Sequence, residues 1–486
     1  MQSWVEKEMA GMDLGDIRLQ TRGIKIISAL GSKPSLSIPA ACGGWSETLA
    51  AYRFFDNESV TPQALMKPHR DATLQRMSQE SVVVVAQDTT VLNLTKPQEQ
   101  IGGSGPLCSE HDHGMFDHTG LALTTCGVPL GILFAEFWAR DWETFYANKQ
   151  LTISQKKVAR RKIPFADKES YRWFEGFQQG CEAATECPET QIVVVSDSEG
   201  DIMDCFYHAH QVQTTEVYSA HWITRACQDR KLAKTETRSK LWSSCQTAPV
   251  QTTLEIEVSE NHPKSGDKTK RNQARQARTT QVEVRARQVT VAGQNRVEGK
   301  LAPVTIGAVY VLEPNPPAGE KPVEWLLLTS LPISSVQEIL TVIDYYVLRW
   351  KVEIYFRILK VGCGIEELQF EKLERYQRCL AVYMIVAWRV FYLMMLGREC
   401  PEMSCESVLS PQEWKALYTI VNKSPAPKTA PSLGEALRWI ASLGGYLGRK
   451  GDGPPGPQTT WVGLQRLRDF ALAWTAFGPE SRTGPN

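Results

Sequence analysis

The amino-acid sequence predicts an α/β fold, and three observations carry that expectation. Two short β-branched runs, Ser81–Ala86 and Gln191–Val195, each lead into an aspartate. A long helical pattern runs from Ser335 to Gly364. Between the second run and that helix lie alternating patterns of the antiparallel-strand kind. Continuously apolar strands with helices between them read as buried and parallel, a class that places its chemistry at the strands' carboxyl ends.

Composition sets the outer bounds. At 486 residues the chain has room for roughly two to four domains and a substantial core. Its 42% hydrophobic and 22% charged content is that of a soluble globular protein. No apolar run approaches about 18 residues and the start is polar and acidic, so a cytoplasmic protein with no membrane segment is expected. The 12 cysteines include no CxxC pair and read as reduced thiols, not as a zinc site. With 54 basic and 54 acidic residues the net charge is zero. Any binding of nucleic acid must therefore come from local basic patches.

Along the chain, Asp16, Arg18, Arg22 and Lys25 lie in a helical run ending near Gly31. A second run passes through Glu47, Leu49, Tyr52, Arg53 and Phe54, and a third begins at Thr61-Pro62. Basic residues spaced by three and four suit a small module touching phosphates, and suit equally a helical cap on the next domain. The run Ser81–Ala86 predicts a buried strand ending at Gln87-Asp88-Thr89-Thr90, with Val91–Leu94 continuing or pairing with it. Leu121–Cys126 and Pro129–Phe137 predict two strands around a turn at Gly127. Gln191–Val195 predicts a strand ending at Ser196-Asp197, with a helix over Glu199–Ala209. His111-Asp112-His113, near His118, has no partner of metal-ligand spacing and reads as a loop.

Trp222–Arg225 predicts a strand with an arginine at its end. The alternating segments TLEIEV and TTQVEVRARQVTV, between Thr252 and Val291, predict antiparallel strands. They are split by a basic loop carrying Lys264, Lys268, Lys270, Arg271, Arg275 and Arg278, suited to phosphate contact or to solvent alone. Pro303–Leu312 and Trp325–Thr329 return to strand pattern. Ser335 and Glu338 then form a capping box, opening what reads as one amphipathic helix to Gly362 and Gly364. At about 100° per residue, Tyr346, Arg349, Glu353 and Lys360 fall within about 60° of one another at the margin of its apolar face. Asp88, Asp197 and Glu353 would supply three carboxylates, the ligands that hard divalent cations prefer. Paired metal ions serve phosphodiester cleavage by activating water and stabilising the leaving oxygen. Further helices are expected over Glu371–Leu396, Pro411–Val421 and Ser432–Leu443. A Gly/Pro-rich break, Gly444–Pro457, precedes a last helix whose seam of Trp461, Leu464, Leu467, Phe470 and Trp474 either packs back or, the favoured reading, meets its counterpart in another subunit.

Together these residues resemble the insertion-sequence-four family of DDE transposases. The resemblance is carried by Tyr346-x2-Arg349-x3-Glu353-x6-Lys360, by Asp88 in DTT and Asp197 in SDSEGDI, and by Trp325 in WLLLTS and LGDIRLQTR near the start. It implies a ribonuclease H-like catalytic core over 69–365 with an inserted antiparallel β subdomain at about 230–325. A helical DNA-binding domain over 1–68 and a helical dimerisation domain over 366–486 are implied on either side. It further implies cut-and-paste transposition, with Asp88, Asp197 and Glu353 holding two Mg²⁺ ions (or Mn²⁺) that serve nicking, hairpin formation and opening, and strand transfer. Arg18, Arg22, Arg53, Arg225, Trp325, Tyr346, Arg349 and Lys360 are the implied DNA contacts, with Trp325 stacking on an extruded base. The implied partners are double-stranded DNA, as transposon ends and target, and a second copy in a homodimer. The location becomes the bacterial cytoplasm, at the nucleoid when DNA-bound. A catalytically idle DNA-binding regulator of transposition is the alternative expectation.

Overall fold

The fold is mixed α/β. The computed structural model describes residues 3–215, 218–260 and 276–478. The basic loop residues Lys264, Lys268, Lys270, Arg271 and Arg275 lie outside the described residues. The chain divides into two compact units, one of Met1–Gln150 with Trp350–Asn486 and the other of Leu151–Arg349.

The first unit opens with helices α1 (Trp4–Glu8), α2 (Ile17–Ser32), α3 (Ile38–Cys42), α4 (Trp45–Asp56) and α5 (Pro62–Met77). Asp16 caps α2 by accepting from the Arg18 amide, and Thr61 caps α5 just ahead of Pro62. These are the stop-and-start residues that helix termini favour. Buried Glu8 receives both Arg76 terminal nitrogens at 2.9 Å and fastens α1 to α5. Strands β1 (Val82–Asn93), β2 (Gly105–Pro106), β3 (His113–Leu123) and β4 (Pro129–Trp138) follow, then helix α6 (Trp142–Gln150). The hairpin expected around Gly127 is present, with Gly127 at φ 88° in the turn, but its first strand runs from His113 to Leu123, eight residues earlier than expected and stopping short of Cys126. β1 pairs antiparallel with β3, Asp88 opposite Thr119. This strand does not end at Asp88, which stands in the middle of its 12 residues. Val91 and Leu92 simply continue the pleat.

The second unit holds α7 (Ile153–Lys162), α8 (Arg172–Glu186), β5 (Gln191–Ser196), α9 (Met203–Thr215), β6 (His221–Arg225) and α10 (Leu241–Gln246). Strands β7 (Val250–Val258), β8 (Arg278–Val291), β9 (Val304–Leu312) and β10 (Glu324–Thr329) follow, and helix α11 (Val336–Val347) closes the unit. β5 and β6 are parallel, and β6, β10, β9, β8 and β7 then pair antiparallel in that order. The strands expected as an insertion thus extend the unit's own sheet. Gly180 lets α8 lie close on β5: a Cβ there would come within 2.4 Å of Val194.

The chain returns to the first unit with α12 (Trp350–Arg357), α13 (Leu373–Glu399), α14 (Pro411–Asn422), α15 (Leu433–Leu443) and α16 (Pro457–Phe477). The expectation of no membrane-length apolar run needs correction. α13 has 27 residues and an 18-residue stretch of mean hydropathy 2.0, yet 89% of that stretch is buried inside the protein. It is the core helix of this unit. α2, α4 and α5 pack on it, and its Trp388 indole donates to the Pro129 carbonyl at 2.8 Å. Arg375 pairs with Asp56 at 2.6 Å and Arg378 donates to the Phe55 carbonyl at 2.9 Å. The N-terminal helices therefore share α13's core. The terminal helix α16 packs back on α14 and α15 of the same chain, with Trp461 and Leu467 buried and the Trp461 ring against Gly362 of the π-turn that follows α12. Leu472 and Phe477 stay exposed.

Candidate active site

The single helix expected from Ser335 to Gly364 is three pieces. The capping box at Ser335 and Glu338 is present and opens α11. At Leu348 and Arg349 the helix tightens, the Arg349 amide donating to the Tyr346 carbonyl three residues back at 3.1 Å. α12 restarts at Trp350 and gives way to one π-turn over Ile358–Gly362, closed by the Cys363 amide on the Ile358 carbonyl at 2.9 Å. Steps of three and five residues replace steps of four, so the polar stripe does not run at an even 100°. Tyr346 and Arg349 are buried, at 2% and 4% exposure, while Glu353 is exposed and Lys360 half-buried.

In the first unit, α12 packs along β1, the strand of Asp88. Asp88 is half-buried and its Oδ1 accepts from the Thr89 amide at 2.8 Å. Lys360 reaches across to the Val91 carbonyl and lies 3.6 Å from Glu366. Beneath them sit two polar groups whose importance the sequence reading missed, Asp117 and His118, both fully buried on β3. His118 bonds Thr89 at 2.9 Å and Gln87 at 3.1 Å. Asp117 accepts from Thr119 at 2.7 Å, and its second oxygen has no partner. Burial pushes its carboxyl up to about 7, against the opposing pull of Thr119 and Lys360. The signal was a polar pair inside an otherwise apolar strand, GMFDHTGLAL.

In the second unit, Asp197 follows β5 as expected and caps a 3₁₀ turn, accepting from the Glu199 amide at 2.7 Å. Thr224 on β6 donates to the Asp197 carbonyl at 2.8 Å and sets the backbone there. Asp201, four residues on in the same SDSEGDI motif, is structural. It is buried and takes Arg230 at 2.8 and 2.5 Å together with the amides of Cys227 and Gln228. Arg225 ends β6. Trp325 is the second residue of β10, half-exposed, its ring 6.4 Å from that of Tyr346 at 56°. The Tyr346 hydroxyl is buried without a hydrogen bond. Burial raises its pKa, opposed by the charges of Arg225 and Arg349, so it remains a proton donor.

Of the basic residues expected on DNA, Arg18 is exposed and held by Asp16 at 2.7 Å, Arg22 is held by Glu47 at 2.5 Å, and Arg53 is exposed on α4. Arg278 is not a loop cation. It opens β8 and is bound by Glu313 at 2.9 Å and by Glu320. His113 packs its ring on Trp142 at 4.7 Å while His111 is exposed. Among the described residues no three His, Cys, Asp or Glu side chains stand together as a metal cage. Asp88 and Glu353 belong to one unit and Asp197 to the other. A set of carboxylates alone matches the oxygen preference of Mg²⁺ and Mn²⁺.

Three family models match the chain. Residues 1–60 match the transposase DNA-binding model, 202–388 the transposase DDE domain, and 385–477 the transposase Tn5 dimerisation domain. The DDE match contains Arg225, Trp325, Tyr346, Arg349, Glu353 and Lys360, and begins after Asp88 and Asp197. Among solved structures, a cryo-EM structure of a piggyBac transposase synaptic complex with hairpin DNA aligns over 82% of this chain and 69% of that one. The sequence identity is 9% and the TM-score 0.35. The three family matches, in the order DNA-binding, DDE and dimerisation, make this chain a Tn5-like DDE transposase.

Proposed function

We propose that the protein carries out cut-and-paste transposition through a DNA hairpin. Water attacks the phosphodiester at the transposon end and releases a 3′-hydroxyl. That hydroxyl attacks the opposite strand, displacing the flanking DNA and closing a hairpin. A second water opens the hairpin, and the 3′-hydroxyl then joins a target strand. Asp88, Asp197 and Glu353 would hold two Mg²⁺ or Mn²⁺ ions, which when bound activate water and stabilise charge on the departing oxygen. Arg225, Tyr346, Arg349 and Lys360 grip the phosphates beside the cut, and Trp325 receives the base expelled at the bend. Arg18, Arg22 and Arg53 contact the end sequence. The domain reading is a DNA-binding module over 1–68, a ribonuclease H-like core over 69–365 with a β insertion at about 230–325, and a dimerisation region over 366–486. The working form is a homodimer bridging two ends.

The observation that carries this reading is the Tyr346 hydroxyl, buried without a partner beside the cations Arg225 and Arg349. A buried donor left unmatched costs about 1–3 kcal/mol, so its retention fits a ligand supplied from outside, and a phosphate oxygen suits both the donor and the charge.

The test is Mg²⁺-dependent nicking of duplex DNA carrying the inverted ends that flank the gene. Asp88→Ala, Asp197→Ala and Glu353→Ala should each abolish cleavage and leave end binding intact. Cleavage surviving in any of the three removes that residue from the catalytic set. End binding with no cleavage in the unaltered protein would make it a regulator of transposition instead.

A further inference from the structure

Helix α7, ISQKKVARRK, carries five cations and no acid in ten residues, within a chain whose net charge is zero. It buries none of its residues, and Ile153 is 88% exposed. A helix of this length with no packed face is marginal in water by itself. Its ends are nonetheless well made. Thr152 and Gln155 form a capping box, and Arg160, Arg161 and Lys162 complement the carboxyl end of the dipole.

Opposite α7 runs the loop after β8, residues 294–297, and between them lies a groove of about 970 Å³. Lys156, Lys157, Arg160, Arg161, Lys168 and Arg296 line it. Arg296 is clamped on Asp204 at 2.8 and 2.6 Å. Among the described residues the other five form no ion pair. The segment after α7 is tied to the loop by the Phe165 amide, which donates to Glu298 at 2.5 Å, and both sides hold to α9, the buried Phe165 ring lying parallel to that of His208 at 5.9 Å and Arg296 pairing with Asp204. The groove is thus a fixed cationic trough whose charge the protein leaves unneutralised.

We infer that this trough is a docking surface for the phosphate backbone of target duplex DNA. The inference rests on the transposase reading. Long-stemmed lysines and arginines at this density recognise a polyanion by charge and counterion release, which carries no sequence information. A target duplex, having no fixed sequence, is held by just such contacts. The end sequence has its own module, matched over residues 1–60 in the other unit.

The experiment uses the full-length quadruple variant Lys156→Gln/Lys157→Gln/Arg160→Gln/Arg161→Gln, with Lys156→Arg/Lys157→Arg/Arg160→Lys/Arg161→Lys as the charge-keeping control. Binding to a duplex lacking the end sequence is measured from low to high salt. Each lost phosphate contact should lower the slope of log K against log salt by about 0.9, so up to about 3.6 is expected for the Gln variant and little for the control. Strand transfer into plasmid should fall roughly in step with that affinity, while end binding, end nicking and melting temperature stay unchanged. An unchanged slope overturns the proposal. A slope that falls together with end nicking, at unchanged melting temperature, overturns it too, because the trough would then serve the end. If the unaltered protein nicks no end at all, the transposase reading has failed, and the slope still decides whether the trough binds duplex.

Discussion

Tyr346 and Trp325 face each other in the second unit, and their roles separate in kinetics. Tyr346→Phe removes a buried hydroxyl that has no partner, so the melting temperature should hold or rise, by up to about 1–3 kcal/mol of stability. Cleavage should slow, because the phosphate loses a donor. If cleavage is unchanged, the hydroxyl does not serve DNA. Trp325 is half-exposed and only tilted against Tyr346, a position open enough to receive a base. A stacked base is worth about 1–3 kcal/mol, or roughly 5- to 150-fold. Trp325→Ala should leave the first nick nearly unchanged and slow hairpin closure by that factor, read from time courses on labelled DNA. Equal slowing of both steps with a lowered melting temperature would make Trp325 a packing residue. Asp197 and Asp201 show why motif membership is not role. Both lie in SDSEGDI, but Asp201 is saturated by Arg230 and two amides, whereas Asp197 gives one oxygen to a cap.

At the scale of elements, the broken helix matters most. The apolar positions of Ile343, Val347, Trp350, Ile354 and Ile358 keep a helical spacing through the break, so periodicity alone reads straight across it. Tightening at Arg349 and the π-turn at Lys360 re-aim the side chains, one inward and one onto the β1 carbonyl of Val91. The α15–α16 pairing is equally local in cause. Gly463 stands so close to α15 that a Cβ would fall 1.8 Å from the Ile440 carbonyl. Gly463→Ala must push the helices apart, and a loss of about 1–3 kcal/mol is expected by urea unfolding. Dimer formation, followed by light scattering, would show whether α16 must sit in this seat for the second copy to bind. A variant as stable as the parent would mean the two helices slide at no cost.

For the whole molecule, Asp117 links stability to pH. Its folded carboxyl titrates near 7, while the ordinary value is 3.8, so the folded state holds a proton that the unfolded chain releases. Its contribution is therefore complete below about pH 4 and is lost as pH rises through 7. Asp117→Asn should stabilise the protein at pH 8 by on the order of 2–4 kcal/mol relative to its effect at pH 4.5. Urea unfolding at the two pH values reads this difference. An equal effect at both would mean the carboxyl is solvated or charged in the fold.

Local pattern was enough to place the strands at Val82, Gln191 and Trp222, the antiparallel strands β7 and β8, the capped start of α11 and the helices from α13 onward. These follow from local periodicity, caps and turn residues, which act within a few positions. The sequence also determined which residue types make the Tyr/Arg/Glu/Lys pattern. Tertiary structure decided what each of those side chains meets. It paired β1 with β3 in antiparallel sense and ran it past Asp88, because strand pairing depends on a partner some thirty residues away. It buried α13, whose composition alone fits a membrane as well as a core, because α2, α4 and α5 cover it. It took Arg278 out of the basic loop by bringing Glu313 and Glu320 to it. And it left α7 bare, since only the finished surface shows which cations the protein's own acids do not reach.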